Sequence, residues 1–400
     1  MKAFVGSVIA LALAVVVGAA QAQTPVKIGV LSDMSSLYTD LAGAGSVVAA
    51  KMAVEDSGVE KRGYKVEIIS ADHQNKPDVG SQIARQWYDT EGVDVIVDTP
   101  NSGVALAVNQ ITRDKNKVFL VSGAATSDLT GKACSPNTIH WTYDTWMLAH
   151  GTGSAIVKQG GDTWFFITAD YAFGHALERD TGDVVKAAGG KVLGDVKVPL
   201  NTQDFSSYLL QAQASKAKII GLANAGGDTT NSIKQAAEFG IVRGGQKLAG
   251  LLVFLTDIHA LGLQTAQGLI FTETFYWDLN DQTRAFSKRF TERDKGIHPT
   301  MVHAGVYSAV LHYLKAVEAL KGAKDGAKVV AKMKETPTDD PLFGKGMVRV
   351  DGRKIHPAYL VEVKKPSESK APWDYYKVLA TIPADQAFRP LSEGGCPLVK

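Results

Sequence analysis

The chain has 400 residues, 45% of them hydrophobic and 21% charged, with 43 Lys+Arg against 41 Asp+Glu. That length exceeds what one compact core usually holds, so two domains are expected. A formal net charge of +2 gives no electrostatic reason to expect nucleic acid or an anionic membrane as a partner.

The first 22 residues read as a cleaved signal peptide. Lys2 is the only early charge, residues 4–17 are an apolar stretch, and Ala20-Gln21-Ala22 is a small-residue cleavage site. No Cys follows it, so the mature chain is expected to start near Gln23, exported and without a lipid. No later stretch is apolar enough to span a bilayer. Two cysteines remain, Cys134 and Cys396. In an oxidising compartment such a pair favours a disulfide, and two Cys so far apart lack metal-ligand spacing.

Beyond the leader, strand and helix patterns alternate. Residues 26–31, 64–71, 93–97 and 118–121 read as strands, with helices over 41–56, 79–88 and 104–114 between them. A second series follows: helix 145–159, strand 163–168, helix 174–188, strand 191–197, helix 206–214, strand 219–222, helix 229–239 and strand 248–254. Each series calls for a parallel sheet with helices on both faces. After a strand at 268–274 the pattern changes to helices at 281–295, 301–320 and 327–334. A hairpin-like end follows, with strands at 346–350, 359–363 and 375–379 and a turn at Asp351-Gly352.

These late helices have no sheet of their own. The expected solution returns them to the first sheet and sends the last strands to the second. The fold class is then α/β, two Rossmann-like lobes with parallel sheets flanked by helices, joined by a three-strand hinge. Lobe 1 is expected to hold residues 23–142 and 275–350, and lobe 2 residues 143–274 and 351–388. Residues 389–400 form a tail tied back to lobe 1. The chain would cross near Trp141, Thr274 and Val350, and a ligand would sit in the cleft between the lobes.

In open α/β sheets ligands bind beyond the carboxyl ends of the strands. The strand at 118–121 ends abruptly in Ser122-Gly123-Ala124-Ala125-Thr126-Ser127, where small residues let a ligand approach backbone N–H groups and hydroxyls. Asn101 or Ser102 stands at a helix N-cap, where unpaired N–H groups and the helix dipole attract anions. This first wall suits a carboxylate, with Ala124, Ala125 and Thr126 as the other candidates. From the second series, Tyr171 and Phe173 can cover an apolar or aromatic body, and Asn224 belongs to the same set of strand-end loops. Asp228 or Asp257 can pair with an ammonium group. Tyr38 can close the pocket from the opposite side.

An enzyme is the rival class, but there is no Gly-x-Ser-x-Gly elbow, P-loop, His-Glu-x-x-His or Gly-x-Gly-x-x-Gly after a strand. His298 and His303 straddle a helix start and His312 falls on the opposite helix face from His303, so no metal is expected. No cofactor is implied.

With these loops in view, the chain resembles the type I periplasmic solute-binding proteins of ABC importers, in the branched-chain amino acid and aromatic acid group. The carriers are the opening Lys-Ile-Gly-Val-Leu-Ser, Asp72-His73-Gln74-Asn75, Ser-Gly-Ala-Ala-Thr-Ser-Asp-Leu-Thr, and Asp170-Tyr171-Ala172-Phe173-Gly174. The resemblance implies a monomeric periplasmic protein that closes on a small carboxylate-bearing solute and delivers it to a membrane permease. It also implies that Ser102, Ala124, Ala125 and Thr126 hold the carboxylate, that Tyr171 lines the other lobe, and that an acid near Asp257 holds an α-amino group. The local Phe-Leu-Thr-Asp-Ile-His departs from the Gly-Pro-Glu-Gly type, and Asn224-Ala225-Gly226-Gly227 lacks the tyrosine often found there. A sensor that presents its closed form to a receptor would use the same shape.

Overall fold

The computed structural model describes residues 23–400; the signal peptide assigned to residues 1–22 lies outside them. In chain order the first half begins β1 Thr24–Ser32, α1 Gly43–Ser57, β2 Tyr64–Asp72, α2 Pro77–Asp89, β3 Val95–Asp98, α3 Ser102–Asp114, β4 Val118–Val121 and β5 Thr138–His140. All five strands run parallel, in the order β2-β1-β3-β4-β5. β3 and β4 are buried at every position, as helices on both faces require. β5 is new relative to the sequence pattern, since three residues are too few to show a period.

The second half starts with α4 Thr145–Leu148, one π-helical turn Ala149–Gly153 and α5 Ser154–Lys158, in place of the single helix expected over 145–159. Then come β6 Thr163–Ala169, α6 Ala172–Ala187, β7 Lys191–Val198, α7 Ser206–Ala214, β8 Ile219–Ala223, α8 Gly227–Glu238 and β9 Lys247–Gly250. The sheet is parallel, ordered β7-β6-β8-β9. β9 stops at Gly250, short of the expected 254, and α9 Leu255–Leu261 occupies what had read as loop. Residues 251–254 are as apolar as a strand and fully buried, so composition alone could not mark the turn.

After α10 Leu263–Ala266 and β10 Ile270–Glu273 come α11 Asp281–Arg293, α12 Met301–Leu320 and α13 Gly326–Glu335. α12 packs along α1 and α13 against β4, so these helices sit on the first sheet. The α1–α12 approach is close because α1 presents Gly45: a Cβ there would lie 2.5 Å from His303 Nε2. His303 donates to the Ala42 carbonyl at 2.8 Å, and burial holds it neutral, its pKa lowered to about 4.

The last strands are β11 Thr338–Asp340, β12 Gly344–Val348, β13 Lys354–Ile355, β14 Ala358–Val363 and β15 Tyr376–Ile382. β12 pairs with the short β13, not with β14 as a simple hairpin would have it. Arg353 bridges to His140 beside β5, whereas β14 joins β10 and β15 and packs into the second core. The third passage between the halves therefore lies between residues 355 and 358, later than Val350. Cys134 and Cys396 are bonded, with their Cα atoms 5.6 Å apart.

Candidate functional site

The loop after β1 is shaped by Asp33. Its carboxylate accepts the N–H groups of Ser36 (2.9 Å) and Tyr38 (2.7 Å) and the Asn75 amide (2.6 Å). Asp72 accepts the N–H groups of Met34 and Gln74. The Asp72-His73-Gln74-Asn75 segment thus serves to place Tyr38, which is buried and points across to the other half.

Tyr38 borders a hollow lined from both sides. Leu41, Pro100, Gly123, Ala125 and Tyr143 join it from the segments after β1, β3, β4 and β5; Tyr171, Phe173, Ala225, Leu252 and Phe254 come from those after β6, β8 and β9. Five of its lining residues are aromatic, and they nearly fill it. Only about 10 Å³ of the hollow is open to the centre of a water-sized sphere, room for about one water, so the two sides must part before a solute of amino-acid or single-ring size can enter it. The Tyr38 and Tyr171 hydroxyls are 2.6 Å apart and join the halves over it. Burial, together with the partner phenol, raises the Tyr38 pKa well above the ordinary tyrosine value.

Of the residues singled out by sequence, Tyr38, Ala125, Tyr171 and Phe173 line this hollow. Asp257 lines a second, larger hollow at the cleft mouth, with Asp40, Leu41, Gly226, Gly227 and Thr256. Asn101, Ser102, Ala124, Thr126, Asn224 and Asp228 line neither. Asp228 Oδ1 has no partner, but polar atoms of the others are engaged within the walls. Asn101 Oδ1 caps α3 by accepting the Val104 N–H, and Ser102 Oγ accepts the N–H groups of Ala125 (3.3 Å) and Thr126 (3.2 Å). Thr126 Oγ1 accepts the Asp128 N–H, and the Ala124 carbonyl accepts from His140 Nε2. Asn224 bonds Thr229 and Ser232.

Sequence reasoning missed Leu41, Pro100, Tyr143, Leu252 and Phe254, whereas Gly123 and Ala225 stood within the strand-end loops it named. Gly123 had a readable signal, lying inside the small-residue run. A Cβ there would come 2.7 Å from Pro100 Cα and 2.9 Å from Asp98 Oδ1, so only glycine lets these loops touch. Leu252 and Phe254 were hidden in the overlong strand, and Tyr143 lies just past the unforeseen β5.

Four buried carboxyls act on the lining tyrosines Tyr38 and Tyr143 from behind the walls: Asp98, Asp228, Asp257 and Glu273, each at most 6% exposed. Burial pushes Asp98, Asp228 and Asp257 up to about 7, and raises Glu273 well above the usual carboxylate range. Asp98 accepts Ser32 Oγ at 2.6 Å, Asp228 the Asn201 N–H at 3.1 Å, Asp257 the Phe254 N–H at 2.9 Å, and Glu273 the Tyr376 hydroxyl at 3.3 Å. One oxygen each of Asp98, Asp228 and Glu273 has no partner. Among the described residues no Lys, Arg or His acts on any of the four. Asp98 and Thr99 also hold φ of +78° and +62°, a strained conformation for non-glycine residues, immediately before Pro100 in the wall.

Two α/β halves facing each other across a hollow lined from both sides define a two-lobed ligand-binding protein. The "Periplasmic binding protein" family description matches residues 25–370. A periplasmic binding protein from Burkholderia mallei is 53% identical and superposes with a TM-score of 0.91, covering 94% of this chain and 100% of that one. A branched-chain amino acid ABC transporter periplasmic ligand-binding protein from Burkholderia xenovorans is 44% identical, with a TM-score of 0.82 over 94% of this chain and 100% of that one. The Leu/Ile/Val-binding protein homolog 6 of Brucella melitensis is 26% identical over 351 residues, 85% of this chain and 88% of that protein. The chain belongs to the periplasmic binding protein family. It is a solute-binding protein of the ABC-transporter kind, not an enzyme. Among the described residues no helix is long and apolar enough to cross a membrane, and no group of three His, Cys, Asp or Glu is placed to hold a metal.

Proposed function

We propose that this protein captures one small carboxylate-bearing solute, a branched-chain amino acid or an aromatic acid, in the periplasm and hands it to the permease of an ABC importer. The observation that carries the reading is the aromatic-rich hollow lined from both halves and bridged by Tyr38 and Tyr171. The halves act as lobes: residues 23–142 and 275–355 form one, 143–274 and 358–388 the other, and the tail from 389 is anchored on the first. They open to admit the solute and close on it, because only contacts from both sides favour the closed form.

The wall around Ser102, Ala124, Ala125 and Thr126 receives the carboxylate, which would share with or replace Ser102 Oγ as acceptor of the Ala125 and Thr126 N–H groups. Tyr38, Tyr171 and Phe173 cover the apolar body, with Asn101 and Asn224 shaping the loops. Asp228 and Asp257 stand where an amino group would find negative charge. The Burkholderia xenovorans relative's description supports the amino-acid choice, and the five aromatic linings support a ring.

A thermal-shift panel of branched-chain amino acids and benzoate derivatives tests this. A solute at about 100 times its dissociation constant should add roughly 2.7 kcal/mol to stability. If no carboxylate in a broad panel moves the melting temperature, the proposal is wrong.

A further inference from the structure

Two of the buried acids lie where the halves meet. Asp228, near the start of α8, is covered by the loop carrying Leu37 and Tyr38. The Leu37 carbonyl comes so near that a Cβ on Gly226 would sit 2.8 Å from it. Asp228 is 2% exposed and its Oδ1 has no partner. The groups facing it are the N–H groups of Asn201 and Thr202 and the phenols of Tyr38 and Tyr171. Asp257, near the start of α9, is 6% exposed and shares the cleft mouth with Asp40 of the other half. The groups facing it are the Phe254 N–H, the carboxyls of Asp40 and Glu273, and the phenols of Tyr143 and Tyr376. In this arrangement both acids are out of water, Asp40 of the other half faces Asp257, and no cation acts on either.

We propose that closing of the two halves takes up protons at Asp228 and Asp257, so that the cleft closes more readily at acid than at alkaline pH. This rests on the reading that the halves open and close. An unpaired carboxylate removed from water is costly, and the group protonates instead. In the open form both acids are solvated and ionise near the ordinary value of about 4. In the closed form burial holds them at about 7. Between those values the closed form binds more protons than the open one. Lowering the pH through that window favours closing by up to about tenfold per pH unit for each carboxyl. Below about 4 both forms are protonated and the effect levels off; above about 7 both are ionised and it levels off again. A solute ammonium would take the proton's place, so the effect is read on the solute-free protein.

Cys134 and Cys396 are bonded to each other, so Asp78→Cys on α2 and Lys234→Cys on α8 supply the reactive thiols for a pair of spin labels. Distances are measured without solute between about pH 5 and pH 8, where the linkage acts. The short-distance population should grow as pH falls. Asp228→Asn with Asp257→Asn should flatten the profile. Asp40→Asn, at an exposed rim position, should move the midpoint to lower pH by removing the opposing charge. If added L-leucine or benzoate shortens the distance while pH does not, proton coupling is refuted and the closing reading stands. A double variant with the unchanged wild-type slope refutes it too. One fixed distance at every pH and with either probe removes the closing reading, and the proposal with it.

Discussion

At the hinge, Arg353 is fully buried, yet it donates to the Tyr143 carbonyl at 3.1 Å, lies 3.4 Å from Asp144 and rests 4.4 Å above the Phe388 ring. Lys354, also buried and lowered to about 8 by desolvation, has Asp340 as its nearest opposing charge. His140 and His356 are held neutral by burial, each bonded to backbone carbonyls. At the cleft the buried charge has the other sign and no such company. Asp98, Asp228, Asp257 and Glu273 have only hydroxyl or N–H donors. The difference separates structure from function. The hinge pairs its ions with opposite charges within the chain, although Arg353 Nη2 and His140 Nδ1 have no hydrogen-bond partner. The cleft leaves its acids short of a partner, which a proton or a solute can supply.

The largest effect should come from untying the tail beside the hinge. The tail places Phe388 under Arg353, and Arg389 donates to the Ser127 carbonyl at 2.9 Å. The Cys134–Cys396 bridge spans 262 residues. In the chain-entropy account a loop of that size contributes up to about 5–6 kcal/mol. Replacing both cysteines by serine should lower the unfolding free energy toward that figure in urea titration. A loss under about 1 kcal/mol would mean that the tail's own contacts suffice.

Next comes Arg353→Met, which leaves Asp144 buried without its counter-charge. Breaking one partner of a buried pair costs about 3–5 kcal/mol. The same titration measures it, and adding Asp144→Asn should restore part of the loss. If Arg353→Met is neutral, the pair is not what holds the hinge, and the contrast with the cleft weakens.

In the cleft wall, Ser102→Ala removes the hydroxyl that orients the Ala125 and Thr126 N–H groups. Solute affinity by calorimetry should fall by about 1–3 kcal/mol, with a similar loss for Thr126→Ala. Affinity unchanged in both variants would place the carboxylate elsewhere.

The two regions were not equally legible in the sequence. The parallel sheets were, because their buried strands are continuous apolar runs closed by small or polar residues, as in Val118-Phe119-Leu120-Val121 before Ser122. Tyr38 and Tyr171 of the cleft were visible as aromatics at strand ends, but Tyr143, past the three-residue β5, was not. The hinge charges were not: nothing local marks Arg353 as buried, because its carbonyl partner at Tyr143 is 210 residues away. Asp98 was hidden in the same way. It ends a strand and looks like a solvated turn residue until Ser32, 66 positions earlier, is found bonded to it. Long-range pairing decides these positions, and periodicity carries no record of it. The Cys pair was the exception, since two thiols in an oxidising compartment leave one pairing.

The smallest effect is also the sharpest test of what joins the walls. The Tyr38–Tyr171 hydroxyl pair is the direct bond across the hollow, and removing either hydroxyl leaves the ring and its packing in place. A neutral hydrogen bond contributes about 0.5–1.5 kcal/mol, so Tyr171→Phe should weaken solute binding by roughly twofold to tenfold, chiefly as faster release. Tyr38→Phe should do the same. If the two hydroxyls serve each other, the double variant loses little more than either single one. If each also touches the solute, the losses add. Fold stability separates a third case. The bond forms only when the halves meet, so a loss of unfolding free energy without a loss of affinity would mean the halves are joined whether or not a solute is present.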